Sequence, residues 1–159
     1  MFRPMRRFKQ QISDEECKEV LISEPRGVLS VLGDDGYPYG IPMDHWYSET
    51  DGKLYFHCAK DGRKIEILTN NNKVCFTIFS EGEPIHAETP CNSGYYYSSI
   101  IGNGRVEFIE DSEEKKYALK RMFVHQAERD VDFTDEQAAN VSVFKIVSKD
   151  YTGKRKPKM

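Results

Sequence analysis

The feature that most constrains this chain is the Asp34-Asp35-Gly36 triplet, set between the apolar run GVLSVLG (27–33) and the segment YPYGIPMDHWY (37–47). An Asp-Gly step between two such runs marks a tight β-turn, because glycine adopts positive φ without steric cost. The two runs must therefore pair antiparallel. A second turn, Glu49 to Gly52, leads into KLYFHCA, where Leu54, Phe56 and Cys58 alternate with Tyr55 and His57. Three hairpin-linked strands thus follow one another. Pro38 and Pro42 interrupt the second of them. Proline donates no ladder hydrogen bond, so part of that strand is an edge or a bulge, with backbone left free for a ligand.

The rest of the chain alternates helices with further strands. Ser13-Asp-Glu-Glu16 is a capping box that opens a helix carrying Cys17, Val20 and Leu21 and ending before Pro25. A helix over 62–70 buries Ile65 and Leu68 and stops at Asn70-Asn71-Asn72. The strand VCFTIF (74–79) is apolar on both faces, as befits a central strand. Residues 81–94 form a polar connection. Tyr95 to Ile109 reads as one long strand with a bend, a bulge or a close backbone approach at Gly102 and Gly104. Asp111 to Glu114 and Thr134 to Gln137 are further capping boxes, the first opening a helix with Ala118, Leu119, Met122, Phe123 and Ala127 on one face. A last strand runs from Val141 to Val147. This order predicts an α+β, mainly β, single domain whose roughly six antiparallel strands close into a barrel.

Composition narrows the function. The 159 residues carry a formal charge of −3, which gives no general attraction to nucleic acid. Basic residues gather at the ends (1–10 and 153–159), and runs of this kind read as frayed, solvated tails. No apolar stretch reaches membrane-spanning length, and the N-terminus lacks the apolar core of a secretory signal. Cys17, Cys58, Cys75 and Cys91 form no C-x-x-C pair and have no metal spacing with histidine, which predicts a reducing, cytoplasmic protein without a metal site.

The stretch HCAKDGRKIEIL (57–68) carries the chemical signal. Arg63 and Lys64 fall in the first turn of a helix, where backbone N–H groups lack internal partners and the dipole is positive. Cations there oppose helix stability unless an anion shares the spot, so the pair reads as a phosphate clamp. Two solvated cations on a surface helix are the alternative. The loop is neither a Walker A motif nor a Rossmann turn. Ser98 and Ser99 could add a hydroxyl to the phosphate, or be ordinary sheet surface. The segment Ile41 to His45 offers proline-interrupted backbone to a planar ring, or is simply a protected edge. His57 abuts the clamp and is the candidate catalytic residue. Neither zinc spacing nor a nucleophile triad is readable around it.

Four segments together resemble the pyridoxamine-phosphate-oxidase-like flavoproteins, and within them the 5-nitroimidazole-resistance (Nim-type) group. They are GVLSVLGDDGYPYGIPM (27–43), LYFHCAKDGRKIEIL (54–68), YYYSSIIGNGRVEFIED (95–111) and TGKR (152–155). The resemblance implies a six-stranded Greek-key split β-barrel with peripheral helices, and a homodimer with FMN at the subunit interface. It implies that Pro42, Met43, Asp44 and His45 face the flavin ring and that His57, Cys58 and Ala59 line it. Arg63 and Lys64 would hold the phosphate with Ser98 and Ser99 assisting. The implied activity passes electrons from a reduced donor such as NAD(P)H through FMN to a small organic acceptor, a nitroaromatic or a quinone. A non-catalytic flavin or haem binder on the same barrel is the alternative, and a deazaflavin carrier a third reading. Two departures stand out. NSGYYYSS (92–99) lacks a basic residue near the serines, and Phe144 to Arg155 holds no Trp. Oxidation of pyridoxamine phosphate is therefore not expected.

Overall fold

The computed structural model describes residues 3–156, with the backbone alone at residue 149. A helix α1 (Asp14–Ser23) precedes strands β1 (Arg26–Leu32), β2 (Pro38–Asp44), β3 (Trp46–Ser48) and β4 (Lys53–Cys58). Helix α2 (Arg63–Asn70) follows, then β5 (Lys73–Phe79), the short β6 (Pro84–Ile85) and β7 (Gly94–Tyr95), and the long β8 (Tyr97–Phe108). Helices α3 (Ser112–Ala127) and α4 (Asp135–Ala139) lead to β9 (Ser142–Lys156).

Seven strands form one antiparallel sheet in the order β2-β1-β5-β8-β9-β4-β3. Only His45 separates β2 from β3. Counted as one bent strand they reduce the total to six, and the chain itself then joins the first strand of the sheet to the last. The barrel is split where β2 and β4 diverge on either side of this corner. The β6–β7 ribbon lies apart from the barrel sheet, within what the sequence presented as a plain polar connection.

The split follows from the prolines. Gly33 N–H donates to Tyr37 O (2.8 Å) and His45 N–H to Pro25 O (3.1 Å). Both pairs belong to the register in which Leu29 faces Ile41 and Gly27 faces Met43. Hydrogen-bonded pairs alternate along an antiparallel ladder. Pro38, Gly40, Pro42 and Asp44 therefore occupy the non-bonded positions, with their backbone groups turned outward. Proline at 38 and 42 sacrifices no ladder bond and keeps β2 a true edge.

The barrel interior holds Leu29, Val31, Leu54, Phe56, Phe76, Ile78, Ile100, Phe144 and Ile146, with Cys17, Val20 and Leu21 of α1 and Ile67 and Leu68 of α2 closing it. The Phe56 and Phe144 rings stack at 5.3 Å. A second cluster lies outside β3, β4 and β9, where Trp46, Tyr55 and Val143 meet Ala118, Leu119 and Met122 of α3 and Ala138 of α4. The close approach expected at Gly102 is the Phe76 ring on the facing strand, and the β8–β9 ladder shifts register between Asn103 and Arg105, where β9 carries the extra residue opposite Gly104.

Local helix signals hold with one qualification. The boxes at Ser13 and Thr134 are reciprocal, whereas Asp111 caps Glu114 N–H without the return bond. One expectation fails. Residues 153–156 are not a frayed tail but the last four residues of β9, paired with β8 from Tyr97 to Ile100. Arg155 donates to Ser98 Oγ (2.9 Å) and to Glu16 Oε1 (2.6 Å), so its charge is anchored rather than solvated. Residues 1–2 and 157–159 lie outside the described residues. Among the described residues the four cysteines are free, and no helix is long and apolar enough to cross a membrane.

Candidate functional site at the barrel split

Helix α2 follows β4 after a four-residue turn (59–62), and its first residue, Arg63, meets the β1–β2 turn. Its N-cap, Gly62, has φ 108° and offers no side-chain cap, and a Cβ built there would meet nothing within 4 Å. The first-turn N–H groups therefore have no side-chain cap among the described residues and are left for an anion to take.

The two cations of that turn differ. Arg63 donates to Asp34 Oδ1 from Nε (3.0 Å) and Nη2 (2.9 Å), approaches Asp35 Oδ2 at 3.1 Å and stacks over the Tyr39 ring at 4.5 Å. The bond to Asp34 and the charges of both aspartates hold its pKa above the usual value. Arg63 thus clips α2 to the hairpin, and the expectation that both side chains stand ready for a phosphate is corrected: one is already paired. Lys64 has no carboxylate partner among the described residues. Its Nζ lies 3.8 Å from Met43 Sδ, on the edge strand.

Around Lys64 the structure gathers most of the expected residues. His57 and Cys58 end β4, and both feel the Lys64 charge. Crowding by protein lowers the His57 pKa most, Lys64 lowers it further, and Asp44 opposes them, so His57 is neutral at pH 7. Burial raises the Cys58 thiol pKa, which argues against a reactive thiolate. Ala59 is exposed in the turn that follows. Asp44 accepts from Arg26 Nε at 2.7 Å. Pro42 and Asp44 turn their backbone groups outward along the split.

His45 and the serines do not join this group. The His45 side chain is fully buried, with Nε2 donating to Leu21 O at 3.1 Å. Its N–H is bound to Pro25 O, and its carbonyl accepts from Gln126 Nε2 (2.9 Å). Only its Nδ1 is without a partner among the described residues, and that atom is buried. His45 is a corner post joining α1, α3 and the β2/β3 bend. Ser99 pairs with Phe79, and β5 and β1 intervene before β2. That is three strand spacings, roughly 14 Å along the sheet. Within one chain the serines do not reach Lys64, and Ser98 Oγ is already held by Arg155.

Sequence reasoning missed two contributors. Asp34 and Asp35 appeared only as turn residues, although they neutralise Arg63 across 29 positions. The inner half of α3 was legible as an apolar stripe, but nothing local told that it walls a cavity against His57 and Asp44. Among the described residues no group of three or more His, Cys, Asp or Glu could hold a metal ion.

The profile of the pyridoxamine 5'-phosphate oxidase family matches residues 13–155. The chain belongs to this family. The fold is similar to that of a candidate 5-nitroimidazole antibiotic resistance protein from Bacteroides thetaiotaomicron, with a TM-score of 0.80 and 30% identity over 91% of this chain and 86% of that one. It is also similar to an FAD-binding protein from Mesorhizobium loti (TM-score 0.70, 24% identity, 92% and 97% of the two chains). A third similar structure is an FAD and heme binding protein from Mycobacterium smegmatis (TM-score 0.80, 18% identity, 94% and 74%). Among proteins with curated functions, none matches the sequence. For this member of the pyridoxamine 5'-phosphate oxidase family, the residue set at the split is compatible with a phosphate-bearing cofactor: an uncapped helix start, beside it an ammonium with no carboxylate partner among the described residues, and an edge strand with free backbone.

Proposed function

We propose that the protein is an FMN-dependent oxidoreductase that passes electrons from a reduced donor, such as a reduced nicotinamide, to a small organic acceptor. The observation that carries this reading is Lys64: an ammonium free of carboxylate partners among the described residues, beside an uncapped helix N-terminus and against the edge strand. In this reading Lys64 and the first-turn N–H groups hold the phosphate, and the outward backbone of Pro42 and Asp44 meets the polar edge of the ring. Arg63 fixes the helix start through Asp34. Bound flavin supplies the electron-transfer chemistry, while the protein orients it and tunes it.

A homodimer completes the proposal. The outer faces of β1, β5 and β8 expose the apolar side chains of Leu32 (59%), Phe79 (51%) and Ile101 (43%), which a second copy would cover. Ser98 and Ser99 would then serve a phosphate held by the other subunit. A second reading, a non-catalytic flavin or haem binder, draws on the shortage of acid–base groups, since the His57 imidazole and the Cys58 thiol are the titratable donors gathered around Lys64.

The test is to purify the protein, record its visible spectrum, titrate FMN and assay oxidation of reduced nicotinamide with several acceptors. Lys64→Ala should weaken FMN binding by roughly 1.5–3 kcal/mol, the range for hydrogen bonds to charged groups. Yellow protein with turnover supports the oxidoreductase. Yellow protein without turnover supports the binder. Failure to bind FMN removes both flavin readings.

A further inference from the structure

The two ends of the chain meet at the end of β9. Ile12 N–H donates to Gly153 O (3.1 Å), Gln11 bridges antiparallel to Lys154, and the 3-10 turn Phe8–Gln10 packs against β9. Gly153 permits the approach, since a Cβ there would collide with the Ile12 and Cys17 side chains. Residues 3–12 and 153–156 together hold seven of the 23 basic residues and none of the 26 acidic ones. The rest of the chain carries 16 against 26, a formal −10. Charges from opposite ends of the sequence thus form one basic surface on an otherwise acidic protein.

Little in the protein answers this charge. Glu16 neutralises Arg155, and Lys154 Nζ rests over the Tyr97 ring at 5.4 Å. Arg3, Arg6, Arg7 and Lys9 are exposed, and neither they nor Lys154 and Lys156 have a carboxylate partner among the described residues. Like charges held together favour an anionic partner. The acidic remainder selects its kind, because exposed charges act over about 8–10 Å at physiological salt. A nucleic acid or an anionic membrane extends past the patch and meets repulsion beyond it. A small folded protein touches the patch alone. Phe8, between Arg7 and Lys9, is 69% exposed, and one such side chain is too little apolar surface for a membrane interface. Transient redox pairs fit the description: their interfaces are small and steered by opposite charge. The patch also adjoins Ser98, the cross-strand partner of Arg155, which the dimer reading sets beside the other subunit's phosphate.

We infer that the joined basic ends dock the acidic face of a small electron-carrying protein, which serves as the reduced donor. The donor role rests on the flavin and dimer reading; the docking does not. For each flavin reduced, two one-electron carriers are oxidised and two protons enter from solvent.

The probe is a plant-type ferredoxin, an acidic one-electron carrier. Binding of the dye-labelled ferredoxin is followed by fluorescence anisotropy at about 0.01 M and about 0.15 M ionic strength, between which the screening length falls from about 30 Å to about 8 Å. Saturable binding is expected at low salt and several-fold weaker binding at high salt. The triple variant Arg6→Ala, Arg7→Ala, Lys9→Ala should bind roughly tenfold more weakly, equivalent to about 1.4 kcal/mol, with FMN affinity unchanged. Lys73→Ala, which removes an exposed cation of β5, should bind as the wild type does. Single-stranded RNA and phosphatidylserine–phosphatidylcholine vesicles are titrated alongside, and tighter binding to either would overturn the choice of partner. No saturable ferredoxin binding, binding indifferent to salt, or equal affinities in the triple variant and the wild type would overturn the docking surface. Anaerobic mixing of reduced ferredoxin with the FMN-loaded protein reads the role: the flavin band should bleach, and docking without bleaching would overturn the donor assignment. Docking by a protein that binds no FMN would instead refute the flavin reading and leave the surface standing.

Discussion

Replacing His45 by glutamine should flatten the acid limb of the protein's stability curve. Burial lowers the pKa of this histidine from 6.5 to about 4, and the nearby His125 adds to the effect, while the Leu21 carbonyl and Asp44 oppose it. The Nε2–H is committed to Leu21 O, so a proton would have to enter at Nδ1, which is buried without a partner. The sign follows directly. Above pH 6.5 the imidazole is neutral in the native and unfolded chains alike, and the full stability is present. As pH falls from 6.5 towards 4, the unfolded chain binds a proton at this site that the native chain refuses. Stability is lost through that window and the loss levels off below pH 4. At about 1.36 kcal/mol per unit, the difference of about 2.5 units amounts to roughly 3 kcal/mol. With a urea m-value of about 1–3 kcal/mol per molar, this is a midpoint shift on the order of 1–3 M. Other groups also titrate in acid, so the informative quantity is the difference between the wild type and His45→Gln. Urea unfolding at fixed protein concentration, from pH 7.5 to pH 4, should show the variant less stable at neutral pH and the gap closing by roughly 3 kcal/mol as pH falls. Curves that stay parallel across the whole range would show that His45 titrates normally, and the account of a sealed corner between β2 and β3 would fail with them.

The unequal roles of the two clamp cations predict unequal variants: Arg63→Ala should weaken FMN binding less than Lys64→Ala, and FMN titrations of the two side by side decide it. An Arg63 effect as large as that of Lys64 would mean that the arginine leaves Asp34 when the cofactor binds. Gly102→Ala would place a methyl group on the Phe76 ring across the β5–β8 pair. Overpacking of this kind costs about 1–3 kcal/mol, measurable by thermal or urea unfolding, and an unchanged midpoint would show that the ring moves aside freely.

Much of the site was legible because its signals are local. The uncapped glycine, the cations of the following turn and the prolines of the edge strand each act within a few residues of themselves. The positions of Lys64, Met43, Asp44 and His57 followed from that reading. The errors fell where contact crosses the sheet. Arg63 looked as free as Lys64 until the β1–β2 turn came to rest against it. His45 looked like part of a ligand-facing edge, whereas the chain bends there and drives the ring into the interior. The basic C-terminal run looked like solvent-exposed tail because charge suggests exposure. It forms strand because β8 offers it a full ladder and Glu16 offers Arg155 a carboxylate.

The amino-acid order alone specified the hairpins, the helix starts, the edge character of β2 and the family, since turn conformation, capping and missing backbone donors are properties of adjacent residues. Strand order and the bend at residue 45 settled the rest. They chose which of two neighbouring cations stays unpaired, kept the serines three strands away from it, and set α3 against His57 to enclose a cavity. These outcomes depend on pairings between residues tens to over a hundred positions apart, and such pairings form only when burial of the barrel core compensates the entropy of closing the loops between them.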